Sequence, residues 1–395
     1  MKIFVINETQ NEDGQNSTNQ ERRCAAVPNT VKKFVRMGFD VIVQAGAGLR
    51  SGYADQDYQD EGAIIGEGLE GIKDADLVLF VGSPSQQHIS LMKRGAIIIG
   101  HINPFFEKAK VRALAKADVS TLSIEMIPRS SRAQKMDALS SQASLAGYVM
   151  MIEAAAALPR ILPMMMTPSG TIKPAKVFVI GAGVAGLQAI ATAKRMGANV
   201  LAYDTRSVVA EQVESLGAKF LYIDIGATGQ SQNGYALALS DEQKQLQLDA
   251  QQQAIAEADI VITTAQLFGR RPPLLIPKAT IALMKPGSVI VDMAAESGGN
   301  VEGSIAGKTI EVNQVTVIGS GKWSQHVVKD ATEMYANNCF HLIDEFSRSH
   351  KSEKSTNSIA SLAVDLEDEI LSQCIITHQG QVCNEQLLKH YEGIK

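Results

Sequence analysis

Three glycines, at 181, 183 and 186, interrupt the apolar run VFVIGAGVAGLQAIATAKRMGANVLAYD, and Asp204 stands eighteen residues after the last of them. Glycines at this spacing let backbone N–H groups close on an anion. Gly181 permits a tight turn, Gly183 lets the main chain approach a pyrophosphate, and Gly186 permits close packing of helix on strand. Val184 and Ala185 open the helix, whose unpaired N–H groups and positive dipole end face the phosphates. Asp204 ends the next strand, where a carboxylate accepts bonds from ribose hydroxyls and repels a 2′-phosphate. The cofactor expected is therefore NAD(H) rather than NADP(H). Arg206, one residue beyond Thr205, weakens that discrimination, because a guanidinium can hold a phosphate.

Two further stretches belong to the same chemistry. Thr263, Thr264, Ala265 and Gln266 follow a later strand, at the kind of carboxyl end where such sheets bind ligands. They read either as a wall of the site, with Ala265 and Gln266 as contacts, or as an ordinary strand-end loop. Residues 226–239, GATGQSQNGYALAL, include Gly234 and Tyr235 and read as a lid or as a surface insertion.

The elements that must position these residues follow a repeating pattern. KIFVIN, DVIVQA, DLVLFVG, AIIIGH and TLSIEM are short apolar runs separated by helical stretches at 30–37, 87–93 and 107–116. Continuous apolar strands alternating with helices predict a parallel sheet covered on both faces. A long helical pattern from Ser140 runs to Pro159, followed by a short hairpin with Ser169-Gly170 at its turn. A second set of strands then appears: KVFVIG, NVLAYD, KFLYID, DIVITTA, SVIVDMA and VTVIG. Residues 347–358 are polar and, by composition, weakly ordered. The tail CIITHQGQVC is too short for a core of its own and is expected to pack on the first domain. The fold class is α/β, with two doubly wound parallel-sheet (Rossmann-like) domains. The first spans 1–130 plus 346–395; the second, 131–345, binds the nucleotide.

Composition narrows the function classes. A chain of 395 residues with 45% hydrophobic residues can build two cores. A net charge of −5 leaves no basic footprint for nucleic acid and no polybasic membrane anchor. Four cysteines stand far apart without a CxxC pair, so no metal site is expected, and a reducing compartment fits. The chain opens on a strand rather than a signal peptide, and no apolar stretch is long enough to span a bilayer. The expectation is a soluble, cytoplasmic protein with no direct membrane insertion.

The segment IEMIPRSSRAQKMDALSSQASLAGY closely resembles the signature loop of the NAD(H)-binding component, domain I, of proton-translocating NAD(P) transhydrogenase. The resemblance continues through PMMMTPSGTIKPAKVFVIGAGVAGLQAIATAKRMGA, EQVESLGAKF and MKPGSVIVDMAAESGGN. It departs in the N-terminal loop NETQNEDGQNSTNQERRCAAVP. It implies that Arg129, Asp137 and Ser140 hold the nicotinamide end of NAD(H), and that Gln134 lies against the ring and aligns two nucleotides. Gln134 and Asp137 are thus the catalytic candidates. Asp204 and Arg206 match adenosine-side positions, and Tyr235 a mobile lid. The resemblance also implies a membrane-spanning partner, an NADP(H)-binding partner, a homodimer, and a peripheral place on the cytoplasmic face of the inner membrane. Direct hydride transfer needs no protein acid or base, only two nicotinamides held in near-attack geometry. Arg129 and Asp137 are suited to form a fixed charged pair, and Gln134 donates and accepts without a proton equilibrium.

Two other readings compete. An alanine dehydrogenase-like amino-acid dehydrogenase shares the fold and the glycine motif, and Arg23 and His101 stand at plausible substrate positions. Yet FVGSPS offers no lysine, Glu296 stands where an aspartate is expected, and SRAQKMD is foreign to such enzymes. His101 then reads as a structural, hydrogen-bonded strand-end residue. A nucleotide-sensing module without catalysis is the third reading.

Overall fold

The computed structural model describes residues 1–9, 21–223, 241–266, 269–351, 358–362 and 364–393. By contacts between residues, the chain divides into two units: Met1–Gln142 with Val327–Lys395, and Ala143–His326. These boundaries fall later at the first crossing, and earlier at the second, than the 130 and 346 read from sequence. The physical reason is a set of side-chain ties. Ser141 Oγ donates to Asn338 Oδ1 at 2.7 Å, and Arg132 pairs with Glu345 at 2.8 Å. The helix Val328–Phe346 therefore belongs with the segment around 132–142. The chain passes between units within the helix Ala138–Ala157.

The first unit is built on an eight-stranded sheet. In spatial order its strands are Gln381–Val382, Ile375–His378, Ser120–Ser123, Ile97–Gly100, Leu77–Leu79, Lys2–Val5, Asp40–Gln44 and Ile64–Gly66. From Ser120–Ser123 to Ile64–Gly66 all neighbours are parallel. The apolar runs are buried because helices cover the sheet: Leu77, Val78 and Leu79 are fully buried, as are Ile3, Phe4 and Val5. The C-terminal strand Ile375–His378 adds antiparallel to Ser120–Ser123, and Gln381–Val382 pairs antiparallel with it, with Gln379 and Gly380 at positive φ closing their hairpin. The polar stretch 347–358, expected to be weakly ordered, opens with a strand, Ser347–Lys351, which pairs antiparallel with Ser358–Leu362. A backbone ladder satisfies main-chain polar groups whatever the side chains are.

The second unit carries a seven-stranded sheet, in the order Lys219–Phe220, Asn199–Tyr203, Lys176–Ile180, Ile260–Thr263, Val289–Asp292, Val315–Gly319 and Lys308–Val312. Only Lys308–Val312 runs antiparallel; it joins its neighbour through Asn313 and Gln314, both at positive φ. The hairpin Met165–Thr167 with Gly170–Ile172 turns on Pro168 and Ser169, one residue earlier than expected, because Thr167 pairs with Gly170. In each sheet the chain order reverses beside the first strand. The reversal lies between Lys2–Val5 and Leu77–Leu79 in one, and between Lys176–Ile180 and Ile260–Thr263 in the other. Ligands of such sheets bind at the carboxyl ends there. No described helix is long and apolar enough to cross a membrane.

Candidate functional site

The reversal in the second sheet is where the glycine motif lies. Strand Lys176–Ile180 ends at Gly181, whose φ of +100° only glycine adopts without strain. Its N–H donates to the Tyr203 carbonyl at 2.8 Å, and its carbonyl accepts from Thr264 Oγ1 at 3.0 Å. The turn is thereby fastened to both flanking strands. Helix Val184–Arg195 begins at Gly183, and no side chain caps it. The first N–H groups, at Val184 and Ala185, lack partners within the helix, as at any helix start. A Cβ on Gly183 would meet nothing within 4 Å, whereas one on Gly186 would lie 1.9 Å from the Gly181 carbonyl oxygen. The third glycine is thus required by packing, and the second leaves open a space that a phosphate could enter. These residues fit a bound dinucleotide: bare donors, a positive dipole end and room for the anion.

Asp204 stands beside this turn with its side chain 8% exposed. Its Oδ2 accepts from the Ala182 N–H at 2.8 Å and from Arg206 Nη2 at 3.0 Å. Its Oδ1 accepts from the Arg206 N–H at 2.9 Å and from Arg206 Nε at 3.0 Å. Burial pushes this carboxyl up, but the Arg206 side chain, aided by the Arg206 and Ala182 N–H groups, holds it below the usual carboxylate range. A carboxylate offers about four acceptor positions, and all are taken. A ribose hydroxyl gains access only when the exposed Arg206 side chain withdraws. Thr205 is exposed beside them.

Beyond Thr264, the Ala265 carbonyl accepts from Asn300 Nδ2 at 3.0 Å, and Gln266 is exposed. Asn300, which the sequence did not single out, is fully buried, and its Oδ1 has no hydrogen-bond partner. The backbone N–H of Asn300 is held by the buried Asp292 carboxylate at 3.1 Å. Gly234 and Tyr235 lie outside the described residues.

The remaining candidates belong to the first unit. Arg129 and Gln134 are exposed, and Gln134 opens a short 3-10 turn, Gln134–Met136. The expected Arg129–Asp137 ion pair is not formed. Asp137 instead takes the Ser140 N–H at 2.8 Å and the Ser140 hydroxyl at 2.6 Å, at the start of the helix Ala138–Ala157. Each Asp137 oxygen keeps a free lone pair that a carboxamide or hydroxyl could use. His101 Nδ1 lies 2.9 Å from the Val81 carbonyl, a strand-end hydrogen bond. Arg23 is held by Glu21 through Nε and Nη2, both at 2.8 Å. Glu8 accepts from the N–H groups of Val81 and Gly82.

Comparison with known proteins agrees with this arrangement. Residues 15–146 match the family described as alanine dehydrogenase/PNT, N-terminal domain, and residues 150–385 its C-terminal domain. An NAD(P) transhydrogenase alpha-subunit chain of Rhodospirillum rubrum is 39% identical over 375 residues, 93% of this chain and 96% of that protein. An alanine dehydrogenase of Mycolicibacterium smegmatis is 30% identical over 290 residues, 72% of each chain. Among solved structures, the transhydrogenase from Sinorhizobium meliloti superposes with a TM-score of 0.81 at 38% identity, covering 98% of this chain and 100% of that one. Two matched domains and near-complete coverage of the transhydrogenase relative show that the chain belongs to the alanine dehydrogenase/PNT family, as a homologue of the NAD(P) transhydrogenase alpha subunit.

Proposed function

We propose that this chain is the NAD(H)-binding subunit of a proton-translocating NAD(P) transhydrogenase. The observation that carries the reading is the uncapped helix start at Gly183, with open space above it and Asp204 beside it. The second unit then holds the pyrophosphate through the N–H groups of Val184 and Ala185, and the adenosine ribose through Asp204. Gly181 and Gly186 shape that turn, and Ala265 and Gln266 border it. Gly234 and Tyr235 supply a lid. Arg129, Gln134, Asp137 and Ser140 attend the nicotinamide end. When bound, NAD(H) itself supplies or accepts the hydride, so the chain need supply no acid or base. Gln134 and Asp137 orient, and the surrounding residues exclude water.

The second reactant is an NADP(H)-binding component, and a membrane-spanning component couples transfer to proton translocation. The subunit works as a homodimer, on the cytoplasmic face of the inner membrane, held there by these partners. The alanine dehydrogenase reading is weaker, because the Arg23 guanidinium is already engaged by the chain's own Glu21.

The test is Gln134→Asn in the assembled transhydrogenase, with stopped-flow transfer at saturating nucleotide and a parallel NADH titration. NADH affinity should fall less than about tenfold, while displacement of the reacting carbons by about 1 Å slows transfer about a hundredfold. An unchanged rate, or a loss accounted for by weaker binding, removes Gln134 from the aligning role.

A further inference from the structure

The turn that carries Gln134 is short of anchors of its own. Ala133 and Met136 are buried in the core of the first unit, but Gln134 and Lys135 between them are exposed. The Gln134 side chain makes no hydrogen bond among the described residues, so its place depends wholly on the backbone from 130 to 137. That backbone is compact: Ala133 N–H bonds the Ser130 carbonyl, and Met136 N–H the Ala133 carbonyl. What fixes its outer side comes from far along the chain.

Arg132 Nε donates to Glu345 Oε1 at 2.8 Å, and Nη1 to Asp368 Oδ2 at 2.6 Å. Glu369 stands 3.9 Å from the same nitrogen. The guanidinium also lies 5.4 Å from the centre of the Phe346 ring. Lys135 Nζ pairs with the second Glu345 oxygen at 3.1 Å, and the Lys135 carbonyl accepts from Asn338 Nδ2 at 2.9 Å. The anchors are themselves rooted. Asp368 accepts from the N–H groups of Ile370 and Leu371, both buried, and Glu345 extends from the helix Val328–Phe346. An isolated surface ion pair contributes only about 0–1 kcal/mol. Here one planar fork donates to two carboxylates at once and lies against a ring, a geometry that an ammonium cannot reproduce.

We infer that Arg132 is a positioning residue: it fixes the turn carrying Gln134 to the helix Val328–Phe346 and to the 365–371 turn, and so sets the alignment on which hydride transfer depends. The consequence for transfer rests on the function proposed above; the fixing of the turn does not. Because Gln134 has no side-chain partner, freedom of its backbone passes directly to its amide. A drift near 1 Å is enough to slow a near-attack reaction about a hundredfold.

The experiment uses Arg132→Met, Arg132→Lys and, as control, Arg94→Met, which removes an exposed ion pair elsewhere in the first unit. Hydrogen–deuterium exchange of the 133–137 amides and NADH affinity are read on the full chain, and transfer rate on the assembled complex. For Arg132→Met we expect at least tenfold faster exchange at these amides, an NADH dissociation constant within threefold of wild type, and a transfer rate at least tenfold lower at saturating nucleotide. Arg132→Lys should fall between, and Arg94→Met should match wild type in all three. Unchanged exchange in Arg132→Met overturns the inference. So does loosened exchange with an undiminished transfer rate, or a rate loss explained by weaker NADH binding. If the wild-type complex transfers no hydride, the functional reading fails, and the exchange data still decide whether Arg132 holds the turn.

Discussion

Alanine at position 183 and alanine at position 186 should fail in opposite ways. Gly183 has φ −79°, which any residue adopts, and a Cβ there meets nothing within 4 Å. The Gly183→Ala chain should therefore melt within about 2 °C of wild type, since a change that disturbs no packing costs about 0.5 kcal/mol at most. Its methyl group nevertheless stands at the bare helix start, where an approaching pyrophosphate must come within hydrogen-bonding distance of main-chain N–H groups. Each charge-assisted bond lost there is worth about 1.5–3 kcal/mol, so losing one raises the NADH dissociation constant roughly 10- to 100-fold. Gly186 is the reverse case. A Cβ there would lie 1.9 Å from the Gly181 oxygen and 2.9 Å from its carbonyl carbon, where ordinary contact begins near 3.4 Å. Backbone would have to part from backbone by about 1.5 Å, which a close-packed interior resists. Overpacking of this kind costs about 3 kcal/mol, or about 6–12 °C in melting temperature for a unit of this size. Calorimetric melting without nucleotide and titration with NADH separate the two. Wild-type NADH affinity in Gly183→Ala would remove the pyrophosphate from this turn. A wild-type melting temperature in Gly186→Ala would refute the packing argument.

Three further outcomes follow from the same geometry. Wild-type chain should bind NADH roughly a hundredfold more tightly than NADPH, a carboxylate–phosphate clash of a few kcal/mol. Asp204→Ala should close most of that gap by calorimetry; equal binding in wild type would shift the assignment to Arg206. Burial, reinforced by the Glu21 carboxylate, pushes the Glu8 carboxyl up to about 7 against the Val81 and Gly82 N–H bonds. A raised carboxyl contributes stability that is complete below its ordinary value of 4.5 and lost as pH rises through about 7. Relative to wild type, the Glu8→Gln melting temperature should thus rise as pH increases from about 4.5 to about 8; parallel curves would contradict this. The purified chain should form no NADH from alanine and NAD, and rapid turnover would restore the amino-acid dehydrogenase reading.

Much of the fold was legible because parallel strands buried on both faces read as unbroken apolar runs, as in Ile260–Thr263 and Val289–Asp292. Two strands that escaped notice lie at the edges of the large sheets. Ile64–Gly66 is three residues long with no buried position, and Lys308–Val312 has none either. The roles of the three glycines could be read from spacing, since each follows from what a Cβ would strike. What spacing could not show is the state of Asp204, because a side chain folding back from Arg206 depends on local backbone direction. Nor could spacing show that Asp137 takes its two bonds from Ser140 at helix-start geometry rather than from Arg129. Arg132 was opaque because its carboxylates lie 213 and 236 residues away. No local pattern announces such a tie.

The two sheets put one topological device to opposite uses. Each opens a crevice where its strand order reverses, and in the second unit that crevice ends at an uncapped helix start with space over Gly183. In the first unit the corresponding position is filled by the chain itself. Glu8 takes the N–H groups of Val81 and Gly82, the Tyr335 hydroxyl donates to the Phe80 carbonyl at 2.7 Å, and His101 stacks on Tyr335. Donors already engaged by a buried carboxylate are not available to an incoming anion, and expelling that carboxylate would strand its partners unpaired. The first unit's crevice is therefore suited to rigidity rather than to substrate exchange. Ala133 and Met136 are part of the same core, while the residues between them depend on the Arg132 ties. Substitutions that change transfer while sparing NADH affinity should accordingly cluster at Arg132, Gln134 and their ties to 338–369, and not around Arg23 and His101.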